Sequence, residues 1–336
     1  MRALIVEPGP SFSVQDVYNG WVKGLNQCGV TVATFNLGDR LNFFTGAHVE
    51  TETGEWRRAF APEDGVRLAA NGITNALYRV WPDVVIIVSG FFMPPDLFDV
   101  IRARGHKIVL VHTESPYEDD IQVQRANRAD LNIINDPTNL ERFNREAPTV
   151  YLPHAYDPDV HHPDGPTESS DFFFAGTGYD SRIDFLEHVD WTGIDVKLGG
   201  NWKQTDPDSP LRRFLVNDVE HCLPNEQTVD FYRGAKCSAN LYRKEANRSF
   251  LAHGWAMGPR EVELAATGCF FLREPRGEGD ELLPMLPTFE TPQDFTERLR
   301  WWLAHDTDRD TAALKAREAV AGRTFAANAA ELLNLL

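Results

Sequence analysis

The chain has 336 residues, 42% of them hydrophobic, which is more than one domain usually holds, so two domains of roughly 150 residues each are expected. No apolar run reaches the ~18 residues of a membrane span, and the opening MRALIVEPGP turns too soon for a secretion signal, so a cytoplasmic protein is expected. The net charge of −17, with Lys and Arg scattered, disfavours non-specific nucleic-acid binding and anionic membrane surfaces, but it leaves room for a small anion in a focused pocket.

In chain order, the first half alternates short β-branched runs with helical segments. Strands are expected at 2–6, 30–35, 83–88, 107–112, 129–134 and 149–153, and helices at about 14–28, 62–80, 95–104 and 119–128. A polar stretch with Gly38, Gly46 and Gly54 reads as an excursion or hairpin. Alternation of this kind implies parallel strands with crossover helices, a doubly wound α/β layout. The segment HAYDPDVHHPDGPTESSD then marks a linker by its Pro, Asp, Ser and Gly content. Beyond it the pattern restarts, with strands at 171–175, 194–199, 237–242 and 269–272. Helices are expected at 181–189, 226–234 and 259–267, with two closing helices near 292–304 and 309–335.

Cys28, Cys222, Cys237 and Cys269 have neither CxxC spacing nor a companion His motif, so they read as reduced thiols. Three triplets of DxD form (Asp157-Pro158-Asp159, Asp206-Pro207-Asp208, Asp306-Thr307-Asp308) do not follow buried strands. They read as turns or helix-flanking segments, and no metal site is expected.

Three segments carry chemistry. In GPREVELAATGCFF (258–271), Pro259 suits the first helical position and Gly268 the left-handed residue after the last. Arg260 and Glu263 share a face of that helix, whose amide end suits an anion, while the carboxylate suits two ribose hydroxyls. A surface ion pair between the two is the plainer alternative. In FFFAGTGYDSR (172–182), Gly176, Thr177 and Gly178 end an aromatic strand, Ser181 is placed to cap the next helix, and Arg182 is placed to face a phosphate. The glycine pattern is incomplete for a nicotinamide fingerprint, and an ordinary β–α turn is the alternative. In NLYRKEANRS (240–249), Arg243 stands at a strand mouth, where it suits a leaving diphosphate, or else forms part of a solvated charge cluster.

These segments, in this order, resemble the C-terminal halves of GT-B glycosyltransferases, in particular the CgeB-type (spore-maturation) group. The resemblance rests on Phe174-Ala175-Gly176 with Arg182, on Asn240-Leu241, and on the run from Arg260 through Glu263 to Gly268. It implies two Rossmann-like domains facing a cleft: an acceptor domain at 1–155, a donor domain at 156–315, and a C-terminal helix, 316–336, packing back on the first. It also implies a nucleotide-sugar donor, UDP-linked, used as co-substrate with no metal or other cofactor. By the same resemblance Glu263 binds the donor ribose and Arg260 supports that loop. Arg182 and Arg243 contact the diphosphate, and Leu223 lies near the base. Where retaining members often carry a second glutamate, this chain has Trp255. That leaves open whether configuration is retained or inverted; an inverting course needs a base near the acceptor hydroxyl, for which Glu114 and His154 lead, ahead of His112 and Asp16. The acceptor stays open among saccharide, protein hydroxyl and modified DNA base. A DNA-modifying glycosyltransferase and a non-catalytic nucleotide- or sugar-binding module are the alternatives, with a nicotinamide oxidoreductase behind them.

Overall fold

In the first strand, β1 (Arg2–Val6), Ala3, Leu4, Ile5 and Val6 are all fully buried. Leu4 and Val6 belong to one apolar cluster, Ala3 and Ile5 to another. A strand apolar on both faces must be covered on both sides, and that requirement shapes the fold around it.

The computed structural model describes residues 1–10, 12–246 and 253–336; the end of the NLYRKEANRS segment, from Asn247, lies outside the described residues. The chain divides into two compact units, Met1–Leu152 with Phe325–Leu336, and Pro153–Thr324. The sequence expectation places the first division after residue 155 and starts the returning segment at 316.

In the first unit β1 is followed by α1 (Phe12–Gln27), β2 (Thr31–Phe35), α2 (Gly38–Gly46), β3 (His48–Glu50), β4 (Trp56–Arg58) and α3 (Pro62–Val80). Then come β5 (Val84–Val88), α4 (Pro95–Arg102), β6 (Lys107–Val111), α5 (Asp119–Ala126), β7 (Leu131–Ile134), α6 (Leu140–Asn144) and β8 (Thr149–Tyr151). The sheet is parallel, in the order β2-β1-β5-β6-β7-β8. Ile73 and Leu77 of α3, with Phe98 and Ile101 of α4, cover one face. Tyr18, Trp21 and Leu25 of α1 cover the other. The excursion resolves into α2 and an antiparallel hairpin, β3–β4.

The second unit runs β9 (Ser170–Ala175), α7 (Asp180–Glu187), β10 (Val196–Gly199), α8 (Asn225–Gly234), β11 (Ala235–Asn240), α9 (Pro259–Thr267) and β12 (Phe271–Arg273). It ends with α10 (Gly277–Leu282), α11 (Pro292–Leu303) and α12 (Asp306–Val320), after which α13 (Phe325–Leu335) belongs to the first unit. Its parallel sheet has the order β10-β9-β11-β12. Phe172, Phe173 and Phe174 of β9 are fully buried, and Phe172 meets Phe295 of α11 edge-on at 5.8 Å. Strand order reverses between β9 and β11. In an open α/β sheet, ligands bind in the crevice outside the carboxyl ends of such a pair.

The single closing helix expected at 309–335 is two helices. It breaks at 321–324, where the carbonyl of Arg323 accepts the amide of Tyr156 (2.9 Å) and Thr324 bridges to Tyr156. That backbone pairing takes Arg323 and Thr324 out of helical geometry. After the break, Phe325 lies so close to α1 that a Cβ on Gly24 would stand 2.5 Å from the Phe325 carbonyl oxygen. Among the described residues, no helix is long and apolar enough to cross a membrane.

Candidate functional site

The turn after β9 is held by backbone packing. The amide of Gly176 donates to the Gly199 carbonyl (3.0 Å) and that of Gly178 to the Asn201 carbonyl (2.8 Å). Gly200 has φ +111°, and a Cβ there would stand 2.3 Å from the Gly176 oxygen. The fully buried Trp202 ring fills the space beside Gly178. A side chain is therefore excluded at Gly200 by the Gly176 carbonyl and at Gly178 by Trp202, whatever ligand approaches them.

The start of α7 departs from expectation. Tyr179 takes the N-cap position without a side-chain cap, and Ser181 lies inside the helix. Its amide and hydroxyl donate to the two oxygens of Glu245, at 2.9 and 3.2 Å. Burial pushes the Glu245 carboxyl up, but hydrogen bonds from the Ser181 and Lys244 amides outweigh it and hold the group below its ordinary range. Arg182, expected to face a phosphate, is buried and turned inward. Its Nε and Nη2 donate to the Leu241 carbonyl (3.0 and 2.7 Å), and its Nη1 donates to the Thr177 carbonyl (3.0 Å). It staples the turn after β9 to the end of β11.

Residues beyond β11 and on α9 meet the same edge. Arg260 Nη1 donates to Asn240 Oδ1 (3.2 Å), and its guanidinium lies 4.7 Å over the Phe174 ring. A Cβ on Gly176 would stand 2.5 Å from Arg260 Nη2, so Arg260 reaches across to the β9 turn. Glu263 is half-buried, and its Oε1 is 4.0 Å from Nε2 of the buried His161. The two residues that read as an ion pair in the sequence thus turn to different partners. Arg243 lies 5.3 Å over the Tyr179 ring, and Arg182 lies 5.1 Å over the same ring. Leu223 packs at the end of β10, where a Cβ on Gly199 would meet its Cδ1 at 2.5 Å. Gly176, Thr177, Gly178, Arg182, Arg243 and Arg260 therefore gather at the carboxyl edge of β9 and β11.

Sequence reading missed a buried polar group behind this edge. Glu261 is fully buried; its Oε2 accepts the Gly258 amide (2.8 Å) and the Tyr242 hydroxyl. Burial pushes its carboxyl up to about 7, against those hydrogen bonds and the charges of Arg273 and Arg276. Arg276 stacks 3.9 Å over the Tyr242 ring, and Glu274 Oε2 accepts the Tyr242 amide (2.6 Å). The signal was present as Gly258-Pro259-Arg260-Glu261, an N-cap residue with a glutamate three positions on.

In the first unit, His112 is enclosed, donates from Nε2 to Asn132 Oδ1 (2.9 Å) and packs edge-on against Phe143. Burial lowers its pKa to about 4, which favours the neutral imidazole at this enclosed position. Glu114 is half-buried just past β6, its amide donating to Gln122 Oε1 (3.1 Å); Asp16 is half-buried, as is His154 at the start of the second unit. The first two DxD triplets are side-chain turns, with Asp157 accepting the Asp159 amide and Asp206 that of Asp208. Cys237 and Cys269 are buried, Cys28 and Cys222 half-buried, and all four are free thiols.

A family model described as glycosyl transferase-like matches residues 182–334. The spore protein CgeB of Bacillus subtilis (strain 168) is 22% identical over 261 residues, 73% of this chain and 80% of that protein. The sucrose-phosphate synthase of Thermosynechococcus elongatus superposes with a TM-score of 0.68 at 11% identity, covering 100% of this chain and 98% of the other. Anabaena HepE, solved in complex with UDP and glucose, gives a TM-score of 0.64 at 13% identity with 100% of both chains covered. The chain thus has the GT-B glycosyltransferase fold, with a segment matching a glycosyl transferase-like family model over residues 182–334 and a sequence similar to that of the spore protein CgeB.

Proposed function

We propose that the second unit holds a UDP-linked sugar and that its own cationic groups, with no metal ion, stabilise the diphosphate as it leaves. An acceptor hydroxyl attacks the anomeric carbon, the bond from that carbon to the diphosphate breaks, and the hydroxyl proton passes to a base. In this reading Glu263 accepts the ribose hydroxyls, and Arg243 and Arg260 with the amide end of α9 balance the developing charge. The Gly176–Gly178 turn lets the donor approach the backbone, Leu223 lies beside the base, and Arg182 holds the two turns together. The acceptor belongs to the first unit, and the base is Glu114 of that unit or His154, which opens the second.

The observation that carries the reading is the convergence of Arg260, Asn240 and Gly176 at the point where strand order reverses, with Glu263 one turn along the same helix. HepE, of similar fold, was solved with UDP and glucose, which supports a uridine donor. Calorimetric titration with UDP, GDP, ADP and their sugars tests it. UDP and one UDP-sugar are expected to bind, with acceptor- or water-dependent release of UDP. Absence of binding across the panel overturns it. Loss of turnover in Glu114→Gln or His154→Ala, with donor binding intact, identifies the base.

A further inference from the structure

We propose that Tyr242 and Glu261 are positioning residues for the leaving diphosphate: their buried hydrogen bond locks the amide end of α9 to the loop that carries Arg243. The inference rests on the UDP-donor reading and adds to it a reason why two arginines from separate elements keep one spacing.

Tyr242 directly precedes Arg243, and Glu261 directly follows Arg260. One hydrogen bond between their side chains therefore fixes the distance between the backbones of the two cationic residues. Each partner is itself fixed. Tyr242 is held by Arg276 over its ring and by Glu274 at its amide, and the carbonyl just before it is taken by Arg182. Glu261 also accepts the Gly258 amide at the N-cap of α9. Arg273, which lies close enough to lower the Glu261 carboxyl, is anchored by Asp280 at 2.7 Å.

Apolar side chains of equal volume would fill this space at lower desolvation cost, but they would leave the loop free to slide along α9. A directional bond holds it in register. Stabilising charge that develops on a leaving group needs cations that are already in place, since moving them during the reaction costs part of what they contribute. Neither Tyr242 nor Glu261 is placed to touch the donor; their effect passes through Arg243 and Arg260.

UDP and UMP share base and ribose and differ by one phosphate, so their affinity ratio reads the diphosphate contacts alone. In the full chain, Tyr242→Phe keeps the ring under Arg276 and removes only the hydroxyl. Its Kd for UDP is expected to rise about tenfold while that for UMP stays within about twofold. Glu261→Met removes the same bond from the other side and should give the same loss, whereas Glu261→Gln retains an acceptor and should keep the wild-type ratio. If Tyr242→Phe and Glu261→Met leave the UDP preference intact, or weaken UMP as much as UDP, the inference falls and the donor reading stands. If the wild-type protein binds neither nucleotide, the donor reading falls and takes the inference with it.

Discussion

The turns after β9 and β11 lead into helices of nearly equal length, yet they use the amide ends of those helices differently. At α7 the end is occupied from within: Glu245, from the loop beyond β11, accepts from Ser181, and Arg182 is given over to the carbonyls of Leu241 and Thr177. At α9 the capping carboxylate, Glu261, is buried on the inner side. Pro259 is exposed, and Arg260 is turned toward Gly176. Both ends carry an arginine and a nearby glycine, and by residue type both qualify as anion sites. What separates them is which amide the chain's own carboxylate takes: at α7 the Ser181 amide inside the first turn, at α9 the N-cap amide of Gly258.

The sharpest way to break this contrast is at Glu263. If α9 is the donor helix, Glu263→Ala removes a carboxylate that accepts two ribose hydroxyls, at about 1.5 kcal/mol or more for each charge-assisted bond. UDP affinity should fall by on the order of 100-fold, with little change in the melting temperature. Titration of the variant with UDP beside a thermal melt separates the two effects. Unchanged affinity would return both helices to a structural role.

Arg182 should show the opposite profile. Its guanidinium is buried against two carbonyls, and Arg182→Ala leaves those carbonyls without their donor, at a cost of about 2–3 kcal/mol in urea unfolding. Arg243→Ala, from a half-buried position on the Tyr179 ring, should leave stability nearly unchanged and lower UDP release. If Arg182→Ala proves as stable as the parent, the stapling role assigned to it is wrong.

The alternation of strands and helices, and the punctuation of α9 by Pro259 and Gly268, were legible because each rests on local chemistry: apolar β-branched runs, fixed φ at Pro, left-handed φ at Gly268 (82°). The inward turn of Arg182 was not legible. It depends on carbonyls contributed from Leu241, 59 positions away, once β9 and β11 pair. The break between α12 and α13 was hidden for a similar reason, since an Ala- and Leu-rich run stays helical until Tyr156 pairs with Arg323. The Gly176–Gly178 turn reads as a ligand's approach, but Gly178 is required first by the Trp202 ring, and Gly176 faces Arg260. Glu261 is not distinguishable from Glu263 by residue type, which does not say which of two glutamates on a helix faces inward.

That inward glutamate predicts a pH dependence. Burial pushes Glu261 up to about 7 from an ordinary 4.5, so the folded chain keeps a proton that the unfolded chain has lost. Its stabilising contribution is full below about 4.5 and declines as pH rises through about 7. Tyr242, Arg273 and Arg276 face it, with Arg273 paired to Asp280. The melting temperature of the wild-type protein should therefore fall between pH 5 and pH 8 relative to Glu261→Gln, which cannot ionise. Parallel curves for the two proteins would show that Glu261 is already charged at pH 5.

The smallest effect tests the other side of the contrast. Glu245 lies partly in solvent, and a carboxylate at an exposed helix start contributes about 0.3–1 kcal/mol, so Glu245→Gln should cost about 0.5 kcal/mol. Its carboxyl is held below the ordinary range, so this contribution is present at neutral pH and lost as pH falls through the depressed value. The glutamine keeps an acceptor for the Ser181 amide and removes the charge. If α7 is closed to the donor, UDP affinity should stay within about twofold of the parent, because no phosphate is near enough to gain from the missing repulsion. A rise of tenfold would mean that Glu245 competes with a phosphate for the same amides. The start of α7 would then be a second half of the donor site, with its own carboxylate acting as a placeholder until UDP arrives.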